Sequence, residues 1–256
     1  MVTLEILDTI SIIKIDRPKQ LNALSQTVIE LLDNCFNEAI NNNEVKVIIL
    51  SGTGNKAFIA GADIIEMSKM TPNQAKKYSI LGQKLTQKIE NSPKPVIGAI
   101  NGFALGGGCE FAMACHFRYA SDNAKFGQPE VGIGLIAGFG GTQRLRRLVG
   151  KGMANELLLS GKLIDANEAL RIGLINKIVP QNELLNECIK IANKIRHNSP
   201  KAIEYTINAL NEGDDNPISL ALEIEAKYFE KVFKTTDRSE GLNAFIEKRK
   251  PTFKGK

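Results

Sequence analysis

The spacing of apolar and polar positions changes along the chain, and each spacing predicts a different element. Residues 4–15 are rich in Ile, Leu and Thr, with a plausible turn at Asp8-Thr9, which predicts a hairpin of two strands. Between residues 28 and 40, apolar side chains recur every three or four positions. This spacing predicts an amphipathic helix, and Ser25 is placed to cap its start.

Strand and helix patterns then alternate until about residue 179, and only helical patterns follow. Predicted strands cover residues 45–50, 95–100, 117–121 and 174–179. Predicted helices cover residues 71–92, 143–149 and 153–159, and a short one follows Asp165. Four more predicted helices lie at residues 183–196, 201–211, 218–233 and 238–248. This order predicts an α/β core in residues 1–195 and an all-helical region in residues 196–256.

Composition and charge exclude several classes of protein. The chain is 43% hydrophobic and 24% charged, which is ordinary for a globular protein in water. The net charge of +5 is modest, and no dense Lys/Arg block is interleaved with aromatic residues, so nucleic acid is not expected as a partner. A mild positive charge suits an anionic small molecule. Neither a membrane-spanning run nor a secretory signal pattern is visible, which predicts a cytoplasmic protein with no membrane partner.

Cysteine and histidine usage narrows the possible chemistry further. The cysteines form no CxxC pair and have apolar neighbours, so we expect small core residues in a reducing compartment: Cys35, Cys109, Cys115 and Cys188. The two histidines, His116 and His197, lie in no motif that supports a zinc site or a Ser-His-Asp triad. Both are expected to be structural or surface residues, and no metal site is predicted.

The most informative stretch is residues 101–110, in which three consecutive glycines stand between a predicted strand and a predicted helix. Glycine has no Cβ, so a ligand carbonyl can approach the unpaired N–H groups at the start of the helix. The partial positive charge there favours a developing oxyanion. A tight turn between closely packed elements explains the glycines equally well. Glu110, at the start of the helix, favours a reactive site.

Three more segments have compositions that suit ligand binding. Small residues crowd residues 56–64, which suits either a flat ligand lying on the backbone or a close crossing of two segments. Residues 132–142 form a glycine-rich loop that is neither a Walker A motif nor a GxGxxG motif. A predicted turn at residues 126–130 carries a second carboxylate, Glu130. Two carboxylates in different environments can divide acid and base roles. The alternative is that Glu110 and Glu130 pair with nearby arginines at the surface.

These segments resemble, in the same order, the motifs of the crotonase family and, within it, of the short-chain enoyl-CoA hydratases. The matching segments are residues 60–63 (AGAD), 101–110 (NGFALGGGCE), 126–130 (FGQPE), 140–145 (GGTQRL) and 244–250 (AFIEKRK). The resemblance extends from about Ile12 to about Lys250. One departure is Ala137, which stands where many relatives have a proline.

The resemblance implies a reaction and a set of site residues. The expected reaction is the reversible hydration of a short-chain trans-2-enoyl-CoA thioester to the 3-hydroxyacyl-CoA. The thioester oxygen would lie between the N–H groups of Ala62 and Gly107, Glu110 would activate water toward Cβ, and Glu130 would protonate Cα. The residues expected to line the substrate site are Ala60, Ala62, Asp63, Ile64, Ile65 and Gly107. No metal or redox cofactor is expected, because the thioester itself is the electron sink.

The resemblance also implies an architecture and an assembly. The expected fold is a spiral of ββα units followed by helices that form a homotrimer, commonly paired into a homohexamer. The last long helices carry many apolar residues, which supports an interface there: Leu220, Leu222, Ile224, Tyr228, Phe229, Val232 and Phe233. The basic residues 248–250 either reach the phosphates of CoA or form a solvated tail.

Two other functions are compatible with the resemblance. Other members of the family isomerise double bonds or carry out dehalogenation, thioester hydrolysis or decarboxylation, but relatives with such chemistry usually lack one of the two glutamates. A second alternative is a non-catalytic, RNA-binding member of the superfamily. The modest charge and the presence of both Glu110 and Glu130 argue against it.

Overall fold

Ten strands form two sheets in the computed structural model, which describes residues 1–256. In chain order the strands are β1 (Val2–Leu7), β2 (Ile10–Ile15), β3 (Val47–Gly52), β4 (Ala57–Ile59), β5 (Val96–Ile100), β6 (Phe103–Leu105), β7 (Phe117–Ser121), β8 (Lys125–Gly127), β9 (Ile164–Asp165) and β10 (Lys177–Val179). The larger sheet has the order β1-β2-β3-β5-β7-β10, and the smaller sheet has the order β4-β6-β8-β9. Only the β1–β2 and β8–β9 pairs are antiparallel.

Eleven α-helices connect and follow the strands. They are α1 (Gln26–Asn41), α2 (Ile64–Met67), α3 (Pro72–Glu90), α4 (Gly107–Ala114), α5 (Gly141–Val149), α6 (Lys151–Ser160), α7 (Ala166–Arg171), α8 (Leu184–Ile195), α9 (Pro200–Gly213), α10 (Ile218–Phe233) and α11 (Thr236–Ile246). Short 3₁₀ helices lie at Pro18–Gln20, Pro129–Ile133 and Gln181–Glu183. No helix combines the length and the apolar character that crossing a bilayer requires.

From β3 to β8, successive strands alternate between the two sheets, and this alternation produces the spiral. The pairs β3–β4, β5–β6 and β7–β8 each place their first strand in the larger sheet and their second in the smaller one. Helices follow each of these pairs along the chain, so the unit is ββα. The predicted α/β class and the all-helical C-terminal part are confirmed.

Local sequence signals account for many of the boundaries. The hairpin turns at Asp8-Thr9, as predicted. The side chain of Ser25 accepts a hydrogen bond from Val28 N, which satisfies a free N–H of the first turn of α1. Asp165 caps α7 in the same way.

The smaller sheet is where the sequence prediction of strands fails. The segment 126–130 was expected to be a turn, but Phe126 and Gly127 belong to β8, and a 3₁₀ helix begins at Pro129. Strands of two or three residues are too short to show an alternating pattern, so the sequence gives no periodic signal for them.

The inner strands β2, β3 and β5 of the larger sheet are buried on both faces, whereas the edge strand β1 is mostly exposed. One face packs with α1, α3 and α4 in the main core, whose largest fully buried side chains are Phe36, Phe58, Phe111 and Phe126. The other face packs against α8, which contributes Leu184, Cys188 and Ala192 to a second core cluster. Burial on both faces explains why β5 and residues 47–50 of β3 are continuously apolar rather than alternating.

The cysteines and the internal histidine have the structural roles expected of them. Cys109, Cys115 and Cys188 are buried, Cys35 is half-buried, and all four are free thiols. His116 Nδ1 accepts from Val96 N at 2.8 Å, and its Nε2 lies 3.1 Å from Glu90 O. These contacts fix a neutral ring with the proton on Nε2, so His116 links α3 to β5 and has no free nitrogen for catalysis.

Candidate active site

Three strands of the smaller sheet end side by side, and the segments that follow them carry the predicted site residues. Strands β4 and β6 are parallel, with Ile59 opposite Ala104, and β6 and β8 are parallel, with Leu105 opposite Gly127. The carboxyl ends of parallel strands meet at one edge of a sheet. The chain therefore brings the segments that contain Ala62, Gly107 and Glu130 to the same edge.

Ala62 and Gly107 each present a free backbone N–H group. Leu24 N donates to Gly61 O and Asp63 N donates to Leu24 O, but the N–H of Ala62, between them, has no acceptor in the chain. Gly107 is the first residue of α4, so its N–H has no partner within the helix. The two free donors follow neighbouring parallel strands, β4 and β6, as an oxyanion site requires.

The glycines of this stretch have separate structural reasons. A Cβ on Gly108 would overlap the carbonyl oxygen of Ile59, so α4 can approach β4 this closely only with glycine at that position. A Cβ on Gly106, whose φ is +51°, would lie 2.8 Å from Glu130 Oε1. The close-packing alternative drawn from the sequence is therefore confirmed for Gly108, while Gly106 borders the Glu130 carboxylate.

Glu110 is buried, with 1% of its surface exposed, and its oxygen is held by backbone donors. Phe139 N and Gly141 N donate to its Oε1 at 2.7 and 2.6 Å. Gly141 is the first residue of α5, so the positive end of that helix also faces the carboxylate. Burial raises the pKa of Glu110 to about 7, against the effect of these N–H donors and with a further increase from Glu130. A carboxyl group with such a pKa can act as a base near neutral pH.

The Glu130 carboxyl group lies beside the backbone of Gly106, the residue before α4. Burial also raises the pKa of its carboxyl group. The Gln128 amide, oriented with its nitrogen toward Glu130, donates to both carboxylate oxygens at 3.0 and 3.1 Å. A Cβ on Gly141 would lie 3.0 Å from Glu110 Oε1 and 3.0 Å from the Gln128 amide. This glycine thus marks the place where the surroundings of the two carboxylates meet.

The alternative that these glutamates pair with arginines is wrong. Neither Glu110 nor Glu130 forms an ion pair. Arg144 binds Glu90 at 2.7 Å, and Arg147 binds Asp215 at 2.6 Å. A buried carboxyl group, Glu110, and a half-buried one, Glu130, without a cationic partner are expensive to maintain, which is typical of residues kept for chemistry.

The remaining predicted binding residues line the segment after β4. Ala60 N donates to Leu21 O at 3.1 Å. Asp63 caps α2 and contacts Arg17 at 3.4 Å. Ile64 and Ile65 are exposed, Ile65 to 75%. A cleft of about 680 Å³ beside them is lined by residues that include Asp63, Ile65, Lys69, Lys77 and Tyr78. Its two lysines and exposed isoleucine suit a ligand that has both anionic and apolar parts.

Sequence reasoning missed three contributors to the site. Gln128 was within a recognised motif, but nothing local indicated that its amide is buried and faces Glu130. Phe139 was part of the glycine-rich loop, and its ring packs edge-on against Tyr78, with 5.2 Å between the ring centroids. Tyr78 in turn donates to Leu24 O at 2.7 Å, beside the free N–H of Ala62. The glycines before α5 were the available signal, because they open a helix N-terminus to a carboxylate.

The raised pKa of Glu110 predicts that Glu110→Gln stabilises the protein at alkaline pH. The folded state holds this proton up to about pH 7, whereas an unfolded carboxyl with its ordinary pKa of 4.5 releases it earlier. Wild-type stability is therefore lost as pH rises from about 4.5 to 7, by up to about 3 kcal/mol. Urea unfolding at pH 5 and pH 8 should show the variant gaining on wild type only at pH 8. The exposed control Glu44→Gln should behave equally at both pH values, and a Glu110→Gln advantage confined to pH 5 would contradict the assignment.

Comparisons with known proteins point to one family. A profile of the Enoyl-CoA hydratase/isomerase family matches residues 5–256. The chain is 50% identical over 241 residues to the short-chain-enoyl-CoA hydratase of Clostridium acetobutylicum, covering 94% of this chain and 92% of the relative. It is 49% identical over 254 residues to the crotonyl-CoA hydratase of Syntrophomonas wolfei, covering 98% and 97%. A crystal structure of an enoyl-CoA hydratase from Bacillus anthracis superposes with a TM-score of 0.96 at 39% identity, covering 100% of this chain and 99% of that one. The chain therefore belongs to the enoyl-CoA hydratase/isomerase family, the crotonases.

Proposed function

We propose that this protein is a hydro-lyase that catalyses the reversible hydration of short-chain trans-2-enoyl-CoA, such as crotonyl-CoA, to 3-hydroxyacyl-CoA. The observation that carries the proposal is the placement of two carboxyl groups without ion-pair partners, the buried Glu110 and the half-buried Glu130, around the Gly106 and Gly141 backbone. The names of the two relatives near 50% identity support the short acyl chain and the hydration.

The two glutamates divide the reaction between them. A water molecule held between the carboxyl groups loses a proton to Glu110 while its oxygen bonds to Cβ, and Glu130 delivers its proton to Cα. Both new bonds form on the face of the double bond that the glutamates occupy, so the addition is syn. The negative charge that builds up on the thioester oxygen is stabilised by the N–H groups of Ala62 and Gly107. Transfer of the proton from Glu110 to Glu130 through the next water resets the pair.

The reaction needs no metal or redox cofactor, because the thioester carbonyl accepts the electron pair from the double bond. Coenzyme A enters as part of the substrate, along residues 60–65 and the cleft beside them. In the C-terminal tail, Arg249 is bound to Glu240 and Glu247, whereas Lys248 and Lys250 form no ion pair. These two lysines are therefore the members of the basic tail best suited to the CoA phosphates. The four free thiols fit a reducing cytoplasm.

Adding crotonyl-CoA to the purified protein and following the absorbance of the enoyl thioester tests the proposal. A fall in absorbance with formation of 3-hydroxybutyryl-CoA supports hydration. Unchanged crotonyl-CoA, combined with conversion of a 3-enoyl-CoA to the 2-enoyl form, would identify an isomerase instead. In deuterated water, label should appear at Cα of the hydrated product.

We also propose a trimer, or a pair of trimers, assembled through the C-terminal helices. A groove of about 470 Å³ between α9 and α10 is lined mainly by apolar residues, and Phe229 beside it is 64% exposed. Light scattering at micromolar concentration should give the mass of three or six chains. Phe229→Glu should give a smaller species, because it places a charge within an apolar interface, while the neighbouring Glu230→Gln should not. A wild-type monomer would contradict this assembly.

A further inference from the structure

One face of α3 carries a ladder of polar side chains that points at the loop before α5. Ser79, Gln83, Thr86 and Glu90 are spaced four, three and four residues apart, so they share one side of the helix. Ser79 Oγ and Gln83 Nε2 donate to Gly138 O at 2.6 and 3.0 Å. Of the four, Thr86 is buried, Ser79 and Glu90 are half-buried, and Gln83 is exposed. The carbonyl groups of the loop accept hydrogen bonds from Ser79, Gln83 and Thr86, so the ladder holds the loop against α3.

Thr86 and Glu90, the last two residues of the ladder, both accept hydrogen bonds from Arg144 of α5. Its guanidinium donates to both oxygens of Glu90, at 3.1 Å from Nε and 2.7 Å from Nη2. The remaining nitrogen, Nη1, donates to Phe139 O at 3.0 Å and to Thr86 Oγ1 at 3.1 Å. Thr86 Oγ1 also lies 3.0 Å from Phe139 O. The Arg144 side chain is only 11% exposed, so its contacts with Phe139 and the buried Thr86 are shielded from water, whereas the Glu90 side chain is 39% exposed.

Glycine at position 140 is what allows this arrangement. Its φ is +111°, in the region that favours glycine, and a Cβ there would overlap Arg144 Nη1. The loop therefore folds directly over the guanidinium. Its carbonyl groups turn toward α3 and Arg144, and the N–H groups of Phe139 and Gly141 turn the opposite way, onto Glu110 Oε1.

We propose that Arg144, held by Glu90 and Thr86, is a positioning residue that fixes the Phe139–Gly141 backbone and thereby the orientation and basicity of the Glu110 carboxylate. The inference rests on the proposed function of Glu110 as the base. Arg144 acts without contacting the substrate. It acts by preventing the two N–H donors from turning away.

The surroundings of Glu110 explain why these donors matter. The titratable groups that face it are Glu130, Tyr78 and Cys109, and none of them carries a positive charge. The Arg144 charge is already paired with Glu90. Two backbone N–H groups and the start of α5 are thus the main stabilisers of the Glu110 anion. If the loop loosens, the protonated form is favoured and the base is lost at neutral pH.

The test compares Arg144→Gln with Arg147→Gln. Both arginines lie on α5 and both form ion pairs, but Arg147 binds Asp215 and does not touch the Phe139 carbonyl. In Arg144→Gln, kcat for crotonyl-CoA hydration should fall by about 10- to 100-fold with little change in KM. The pH midpoint of kcat should move upward by about one pH unit. Arg144→Lys, which keeps the charge but cannot reach both Glu90 and Phe139, should lie in between, and Arg147→Gln should match wild type.

A readout without turnover separates this proposal from the proposed function. In protein carrying ¹³C at the glutamate side-chain carboxyl carbon, Glu110→Gln identifies the Glu110 signal, and its titration is followed by NMR. The signal should titrate at higher pH in Arg144→Gln and also in Thr86→Val, which removes a buried hydroxyl at nearly constant volume. An unmoved titration in both folded variants would overturn the positioning role, whether or not wild type hydrates crotonyl-CoA. An inactive wild type with a shifted titration would reject the hydratase assignment alone.

Discussion

In Glu110→Gln and Glu130→Gln, hydration of crotonyl-CoA is expected to fall by about 10²–10⁴-fold, while binding of a CoA ester is retained. Each change replaces a carboxyl group with an amide of nearly the same shape, which neither accepts a proton from water nor delivers one to carbon. Burial raises the pKa of both carboxyl groups, which favours proton exchange closer to neutral pH than for a free glutamate, and each variant removes one of the two exchanging groups. Dehydration of 3-hydroxybutyryl-CoA should fall equally, because the two directions share one transition state.

A matched control comes from Glu44, which is exposed and lies between α1 and β3, away from the Glu110 and Glu130 carboxyl groups. Glu44→Gln should hydrate crotonyl-CoA at the wild-type rate. Near-normal hydration in Glu110→Gln with loss only in Glu130→Gln would show that the paired mechanism is wrong. A single-base reaction of the isomerase type would then replace it.

Gly107→Val is expected to reduce kcat by about 10²–10³-fold in a protein that still folds, because it displaces one oxyanion donor. A Cβ at this position would lie 3.1 Å from the Phe139 ring and 3.3 Å from Leu24 Cδ1, so a branched side chain must move α4 or its neighbours. The backbone of Gly107 is not in the left-handed region, so valine introduces no strain of that kind. Steady-state kinetics measures the fall in kcat, and circular dichroism on the same sample shows whether the variant is folded.

Gly152→Val is the corresponding control, since position 152 lies in α6 and a Cβ there meets nothing within 4 Å. It should fold and turn over like wild type. Gly107→Ala, with a smaller side chain, should fall between wild type and Gly107→Val. Full activity in a folded Gly107→Val protein would remove this N–H group from the proposed site.

The parts of the fold that were predicted from sequence are those with a local signal. Caps such as Ser25 and Asp165 act within three residues, and the helical spacing of α1 is visible over four turns. Strands β6, β8 and β9 were not predicted, because two or three residues carry no period. Their positions follow from pairing with residues far along the chain, as in the Phe126–Ile164 contact between β8 and β9.

In the candidate site, likewise, the residues within contiguous motifs were predicted, and the contacts between distant segments were not. Glu110 and Glu130 were identified from motifs that are contiguous in sequence, and the structure brings their surroundings together at Gly141. The donors to Glu110 come from residues 29 and 31 positions later, which no local pattern could indicate. Pairing of the glutamates with arginines was a reasonable expectation from charge alone. It failed because Arg144 is bound to Glu90 of α3, a partner 54 residues away.

In a saturation-mutagenesis screen scored by growth on a substrate of this enzyme, position 108 should tolerate as little change as position 110. Any side chain at Gly108 must push α4 away from the Ile59 carbonyl, and the two segments held together by this contact carry the proposed donors, Ala62 and Gly107. Such variants would keep every reacting group and still lose the spacing between the donors. A ranking of positions by intolerance would therefore place Gly108, which sets the distance between the two segments, next to Glu110, which transfers a proton. Only assays on purified protein could distinguish these two causes of lost activity.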